Sequence, residues 1–122
     1  MTFQETLKIH LQAVEDRDFD TLLSTLPEQG GQTVLILPHG SIDTSRDNFA
    51  AGHKEWFADK SWQQKFEVIN TIESAEMAVA TIRYVYTEGN GESWNALLGL
   101  VFQKIDDRWV LVHDQNTRIQ AD

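Results

Sequence analysis

Cysteine is absent from this chain. That excludes disulfides, thiol nucleophiles and cysteine-ligated metals. Positive charge is scarce: 10 Lys and Arg stand against 19 Asp and Glu, a net charge of −9. Such a chain repels phosphate backbones and anionic headgroups, so neither nucleic acid nor a membrane is expected as a partner. No apolar run approaches the roughly 20 residues that a membrane span needs. The opening stretch from Met1 to Lys8 lacks the charged-then-apolar order of a signal peptide, and a cytoplasmic location is expected. The histidines are His10, His39, His53 and His113. None is spaced as a helical i, i+4 metal pair, so no metal site is expected. Gly-rich phosphate loops, nucleophile elbows and kinase-type motifs are also missing, and no cofactor is expected.

What is present is an ordinary globular composition, with 41% apolar and 24% charged residues over 122 positions. That length suggests one domain over residues 1–122, large enough for a real core. The first half is helical in pattern. Phe3, Leu7, Leu11 and Val14 recur at helical spacing, with Thr2 as cap and Glu5 at the third helical position. Phe19, Leu22, Leu23 and Leu26 predict a second short helix, closed by Pro27 and Gly30-Gly31. Thr33 to Leu37 reads as a strand, Pro38-His39-Gly40 as a turn, and Ser41 to Asp43 as a return strand. Thr44 or Ser45 caps a third helix with Phe49, His53, Trp56 and Phe57 on its inner face. The second half is strand after strand: Trp62 to Ile72, Met77 to Thr87, Ser93 to Ile105 and Arg108 to Ile119. Helices followed by an antiparallel meander make an α+β pattern.

The last strand begins apolar with Trp109, Val110, Leu111 and Val112, then turns polar at His113, Asp114, Gln115 and Asn116. A strand of that kind lines a pocket or an interface at its polar end. With Asp106-Asp107 as a two-residue turn, Leu100 opposes His113 and Leu98 opposes Gln115. His113 and Gln115 then share a face with Trp94, and Asp114 and Asn116 point to the other. An even-numbered loop at Glu88 to Gly91 adds Arg83 to the His113 face. Both faces are apolar, so helices cover one and a second subunit is a candidate cover for the other. Arg83 is costly to bury alone. It reads either as a structural ion pair or as an anchor for an anionic or carbonyl group of a ligand.

The order of helix, short helix, hairpin, helix and meander resembles the nuclear transport factor 2-like (SnoaL-like) superfamily. The closing run Asp107-Arg-Trp-Val-Leu-Val-His-Asp-Gln-Asn-Thr117 is similar to its final strand, and Asn116-Thr117-Arg118 to the SgcJ/EcaC-like branch. Ala80-Thr-Ile-Arg83-Tyr resembles a segment of the calcium/calmodulin-dependent kinase II association domain. Pro38-His39-Gly40 matches the usual Pro-x-Gly hairpin, and Ser45-Arg46 sits near the usual Gly-Arg. That association domain has a second histidine where this chain has Gln115.

The resemblance implies a cone: a curved antiparallel sheet, cystatin-like, wrapped around the N-terminal helices with a pocket at the wide end. It implies a small-molecule ligand and a homodimer through the sheet. Members include ketosteroid-isomerase-like and cyclase-like enzymes, dehydratases and oligomerisation domains. In the enzymes a pocket carboxylate abstracts a proton beside a carbonyl, and Asp43 or Asp114 is the candidate here. His113 is a candidate acid or base, because its ordinary pKa lies near neutrality; the alternative is a histidine bonded within the sheet. Arg83 and Gln115 are candidate polar anchors, and Asn116 has the same chemistry. Trp56, Trp62, Trp94 and Tyr86 are candidate pocket walls or core, and His53 a ligand contact or a packing histidine. Two functions follow: an acid–base enzyme of the isomerase, cyclase or dehydratase type, or a non-catalytic binding or oligomerisation module.

Overall fold

A computed structural model describes residues 1–120. The helices are α1 (Phe3–Asp16), α2 (Phe19–Leu23) and α3 (Arg46–Ala58). The strands are β1 (Gln32–Ile36), β2 (Ile42–Ser45), β3 (Gln63–Glu73), β4 (Met77–Thr87), β5 (Ser93–Ile105) and β6 (Arg108–Ile119). They form one sheet in the order β2-β1-β6-β5-β4-β3, with β1 parallel to β6 and every other pair antiparallel. The α+β expectation therefore holds, with β1 and β2 extending the meander beyond β6.

Local chemistry sets the helix ends. Thr2 and Glu5 form a reciprocal capping box at the start of α1. Asp18 caps α2, and the Ser45 hydroxyl accepts from the Asn48 N–H at the start of α3. Arg17 ends α1 in the left-handed region at φ 54°. The β5–β6 turn is Asp106-Asp107, with φ of 49° and 65°. Two consecutive left-handed residues make the turn that matches strand twist in a two-residue hairpin.

One sheet face carries the core. Ala78, Ala80, Ile82 and Tyr84 of β4 and Ala96, Leu98, Leu100 and Phe102 of β5 are buried at alternate positions. Phe3 of α1 packs edge-on against Phe102 and Trp109, with ring centroids 5.6 Å from each. Each such large apolar side chain contributes about 1.5–3 kcal/mol through burial.

The register departs from expectation at two places. The pairing Thr87↔Ser93 leaves an odd-numbered loop at 88–92, where Gly91 takes φ 91°. Tyr84, not Arg83, therefore pairs with Ala96 and faces inward. In β6, Leu111 opposes Phe102 but His113 opposes Val101, so Val112 is an extra residue, a β-bulge. Beyond it every side chain changes face. Asp114 and Asn116 turn inward beside Leu100 and Leu98, while His113 and Gln115 turn outward beside Val101 and Gly99. The expectation that His113 and Gln115 share a face with Trp94 is thus overturned. Arg83 does share a face with His113, but it is the outer one. A second bulge at Ile69 of β3 adds to the bend.

Candidate functional site

Between the inner sheet face and the helices lies a cavity of about 650 Å³. Helix α1 contributes His10, Leu11 and Val14, and α3 contributes Gly52, His53 and Trp56. The sheet contributes Leu35, Gln64, Phe66, Tyr84, Tyr86, Trp94, Leu98, Asp114 and Asn116. Leu37, Pro38 and His39 of the β1–β2 turn, with Arg118 and Gln120, complete the lining.

Most of that surface is apolar and aromatic. Trp56 stacks on Trp62 at 4.0 Å, and Tyr86 packs 5.2 Å from Trp94. The Arg118 guanidinium lies 4.7 Å over the Trp94 ring, a cation–π contact that holds an exposed arginine in place.

The polar part centres on Asp114, which the Val112 bulge turns into the interior with 6% exposure. Its Oδ1 accepts from the Asn116 amide at 2.9 Å. The same amide nitrogen donates to the Ile36 carbonyl at 2.9 Å, and the Tyr84 hydroxyl donates to the Asn116 amide oxygen at 2.9 Å. A backbone carbonyl only accepts, so the Asn116 amide can be oriented in one way only. Asp114 Oδ2 has no hydrogen-bond partner among the described residues. Burial raises the Asp114 pKa to about 7, and the Asn116 hydrogen bond offsets part of that rise. Burial first, then the nearby Asp114 and Tyr86, push the Tyr84 phenol upward, so it stays a neutral donor.

Two histidines complete the polar set. Burial holds His10 down at about 3, helped by the charge of nearby His53. His53 is held at about 4 by burial, partly offset by its bond to the Phe49 carbonyl. Both are neutral in ordinary buffers. Gln64, with 8% exposure, adds an amide to the wall. Among the described residues no group of three or more His, Asp or Glu could hold a metal ion.

The residues named from the sequence divide into four groups. Trp56, Trp94, Tyr86, His53, Asp114 and Asn116 line the cavity. His113, Gln115 and Arg83 stand on the outer sheet face, away from it. There Arg83 pairs with Glu67 at 3.4 Å, both half or more exposed. Asp43 lies on β2 and serves the start of α3: it accepts from the Asn48 amide at 3.1 Å and from the Ser45 N–H at 2.9 Å. Trp62 packs in the core behind Trp56. His10, Gln64 and Tyr84 belong to the cavity and were not anticipated. For His10 a signal existed: it follows Phe3 by seven and Leu7 by three, on the apolar stripe of α1.

The sequence profile of the SnoaL-like domain matches residues 4–116. The chain belongs to the SnoaL-like family. The expected family is therefore correct, and three solved structures share the fold. The SnoaL-like chain superposes on a candidate calcium/calmodulin-dependent protein kinase type II association domain from Thiobacillus denitrificans with a TM-score of 0.82, at 18% identity over 98% of this chain and 96% of that one. A candidate dehydratase of the NTF2-like family from Streptomyces avermitilis gives 0.82 at 17% identity, over 97% and 94%. An NTF2-like protein of unknown function from Shewanella oneidensis gives 0.76 at 25% identity, over 93% and 94%. The likeness to the first two is one of fold. No curated protein matches the chain.

Proposed function

We propose that this SnoaL-like domain, spanning the whole chain, binds a small, largely apolar ligand in the cavity and moves a proton on it. Asp114 is the acid–base group. The observation that carries this reading is a buried carboxylate with one oxygen anchored by Asn116 and the other left without a protein partner in an aromatic cavity. A carboxyl group with a pKa near neutrality is suited to take a proton from carbon beside a carbonyl and to return it elsewhere. Gln64 supplies a neutral donor for the oxygen that becomes an enolate. Isomerisation, dehydration and cyclisation share this step. That one relative of the same fold is a candidate dehydratase is consistent with it.

The test is hydrogen–deuterium exchange at the α-carbons of 2-tetralone, an enolisable bicyclic ketone. The protein should accelerate exchange, with a rate that rises through pH 7, and Asp114→Asn should lower it by about 100-fold or more. Exchange no faster than in buffer would leave a binding domain without catalysis, and equal acceleration by protein and variant would remove Asp114 from the acid–base role.

A homodimer through the outer sheet face is the second part of the proposal. Val79, Val85 and Leu97 are each 39% exposed there, and Ile119 41%. Such a row of aliphatic side chains on a sheet gains by being covered. Arg83, His113 and Gln115 lie on this same face, so their proposed role moves from ligand anchoring to pairing across the interface.

A further inference from the structure

His10 and His53 take no part in the proton transfer proposed above, yet both line the cavity. What each Nδ1 touches fixes its tautomer. The His53 Nδ1 lies 2.9 Å from the Phe49 carbonyl oxygen, which only accepts, so Nδ1 carries the hydrogen. The His10 Nδ1 lies 2.8 Å from the Thr25 hydroxyl oxygen. That hydroxyl has one hydrogen, and it is donated to the Leu22 carbonyl at 2.7 Å. Thr25 must therefore accept from His10, whose Nδ1 also carries the hydrogen. In a neutral imidazole the second nitrogen is then a bare acceptor.

Neither Nε2 has a hydrogen-bond partner among the described residues, and neither is sealed away from the cavity. His10 itself is 3% exposed. Its ring is held edge-on to Phe102 at 5.8 Å, and that of His53 is stacked on Phe49 at 4.0 Å. Turning either ring about its Cβ–Cγ bond would break its Nδ1 bond. Two fixed acceptors in a mostly apolar wall reject a ligand that offers them oxygen lone pairs. They favour one that offers hydrogens, because an unmatched buried acceptor loses its water without compensation.

We propose that the ligand carries hydroxyl or N–H donors on an apolar, planar scaffold, and that His10 and His53 select it by accepting those hydrogens at Nε2. The inference rests on the cavity being the ligand site, as proposed above, and does not need Asp114 to be catalytic. The planar scaffold follows from the Trp56, Tyr86 and Trp94 wall.

The experiment compares 2-naphthol with 2-methoxynaphthalene, the same ring with its donor blocked. Both are titrated into the 15N-labelled protein and followed by NMR. Both histidines should show hydrogen on Nδ1 and none on Nε2. The naphthol should move at least one Nε2 resonance and bind about tenfold tighter than the ether. His53→Phe keeps the stacked ring, removes one acceptor and should shrink that preference. Thr25→Val removes the acceptor that fixes His10, frees its hydrogen to move to Nε2, and should shift the preference toward the ether. Asp114→Asn should lower ketone exchange about 100-fold, and the naphthol preference that remains in it should still shrink when His53→Phe is added, so the two readings fail separately. Hydrogen on Nε2 of either histidine, or equal affinity for the two probes in the unaltered protein, overturns the inference. If neither probe binds in the cavity, the ligand site falls and this inference falls with it.

Discussion

At the scale of single residues, Asp114 and the two cavity histidines pull stability in opposite directions with pH. Unfolded, the histidines titrate near 6.5; folded, they stay neutral down to about 3 and about 4. Their depressed values withdraw stability as pH falls below about 6.5. Asp114 is raised to about 7 from an ordinary 3.8, so it withdraws stability as pH rises between those values. Replacing it with Asn removes that penalty. The variant should match the parent near pH 4 and exceed it by on the order of 4 kcal/mol above pH 7, by urea unfolding at each pH. A flat difference across that range would show that Asp114 keeps an ordinary pKa. A group that weakens the fold at neutral pH is what a site kept for chemistry looks like.

At the scale of elements, the sequence announces helices and strands through period and punctuation, and the β4, β5 and β6 ranges agree residue for residue with those read from it. The capping box at Thr2 and the Asp106-Asp107 turn were equally plain, because both are short-range chemistry. Face assignment failed where it depended on counting through irregularities. An odd loop after β4 and one added residue in β6 each invert the alternation. Val112 looks like any other valine of an aliphatic strand, so nothing local marks it as a bulge. The candidate site was therefore half legible. Of the aromatic candidates, Trp56, Trp94 and Tyr86 line the cavity and Trp62 packs in the core. Asp114 and Asn116, named as candidates, were placed on the face opposite His113, and it is their face that turns inward. The turn itself offers a further check. Asp107 holds φ 65° without the freedom of glycine. Asp107→Gly should stabilise the protein by about 0.5–1 kcal/mol, seen as a higher midpoint of thermal unfolding. Asp107 also pairs with Lys104 at 3.7 Å, but its side chain is almost fully exposed, so removing that ion pair should not register.

At the scale of the whole molecule, the sheet divides two tasks between its faces. The inner face meets the helices and leaves one aromatic cavity near its edge, while the outer face keeps its aliphatic row exposed. Leu97→Glu places a charge in the middle of that row, on a side chain that touches neither core nor cavity. In sedimentation the unaltered protein should run as a dimer at micromolar concentration and the variant as a monomer. Circular dichroism should stay unchanged. A parent that sediments as a monomer would remove the interface from the proposal. The net charge of −9 bears on the ligand as well. A strongly acidic molecule disfavours anionic ligands at long range, which agrees with a cavity whose deep histidines offer lone pairs and not charge.

The single added residue at Val112 works like a shift of reading frame. The segment from His113 to Asn116 holds two interleaved messages, one spelled by His113 and Gln115 and the other by Asp114 and Asn116. Which one the cavity receives is decided upstream, at a valine outside its lining. A relative without the bulge would present the first message inward from nearly identical letters. Aligning final strands column by column would then equate residues that point in opposite directions, and the place to start counting is the bulge.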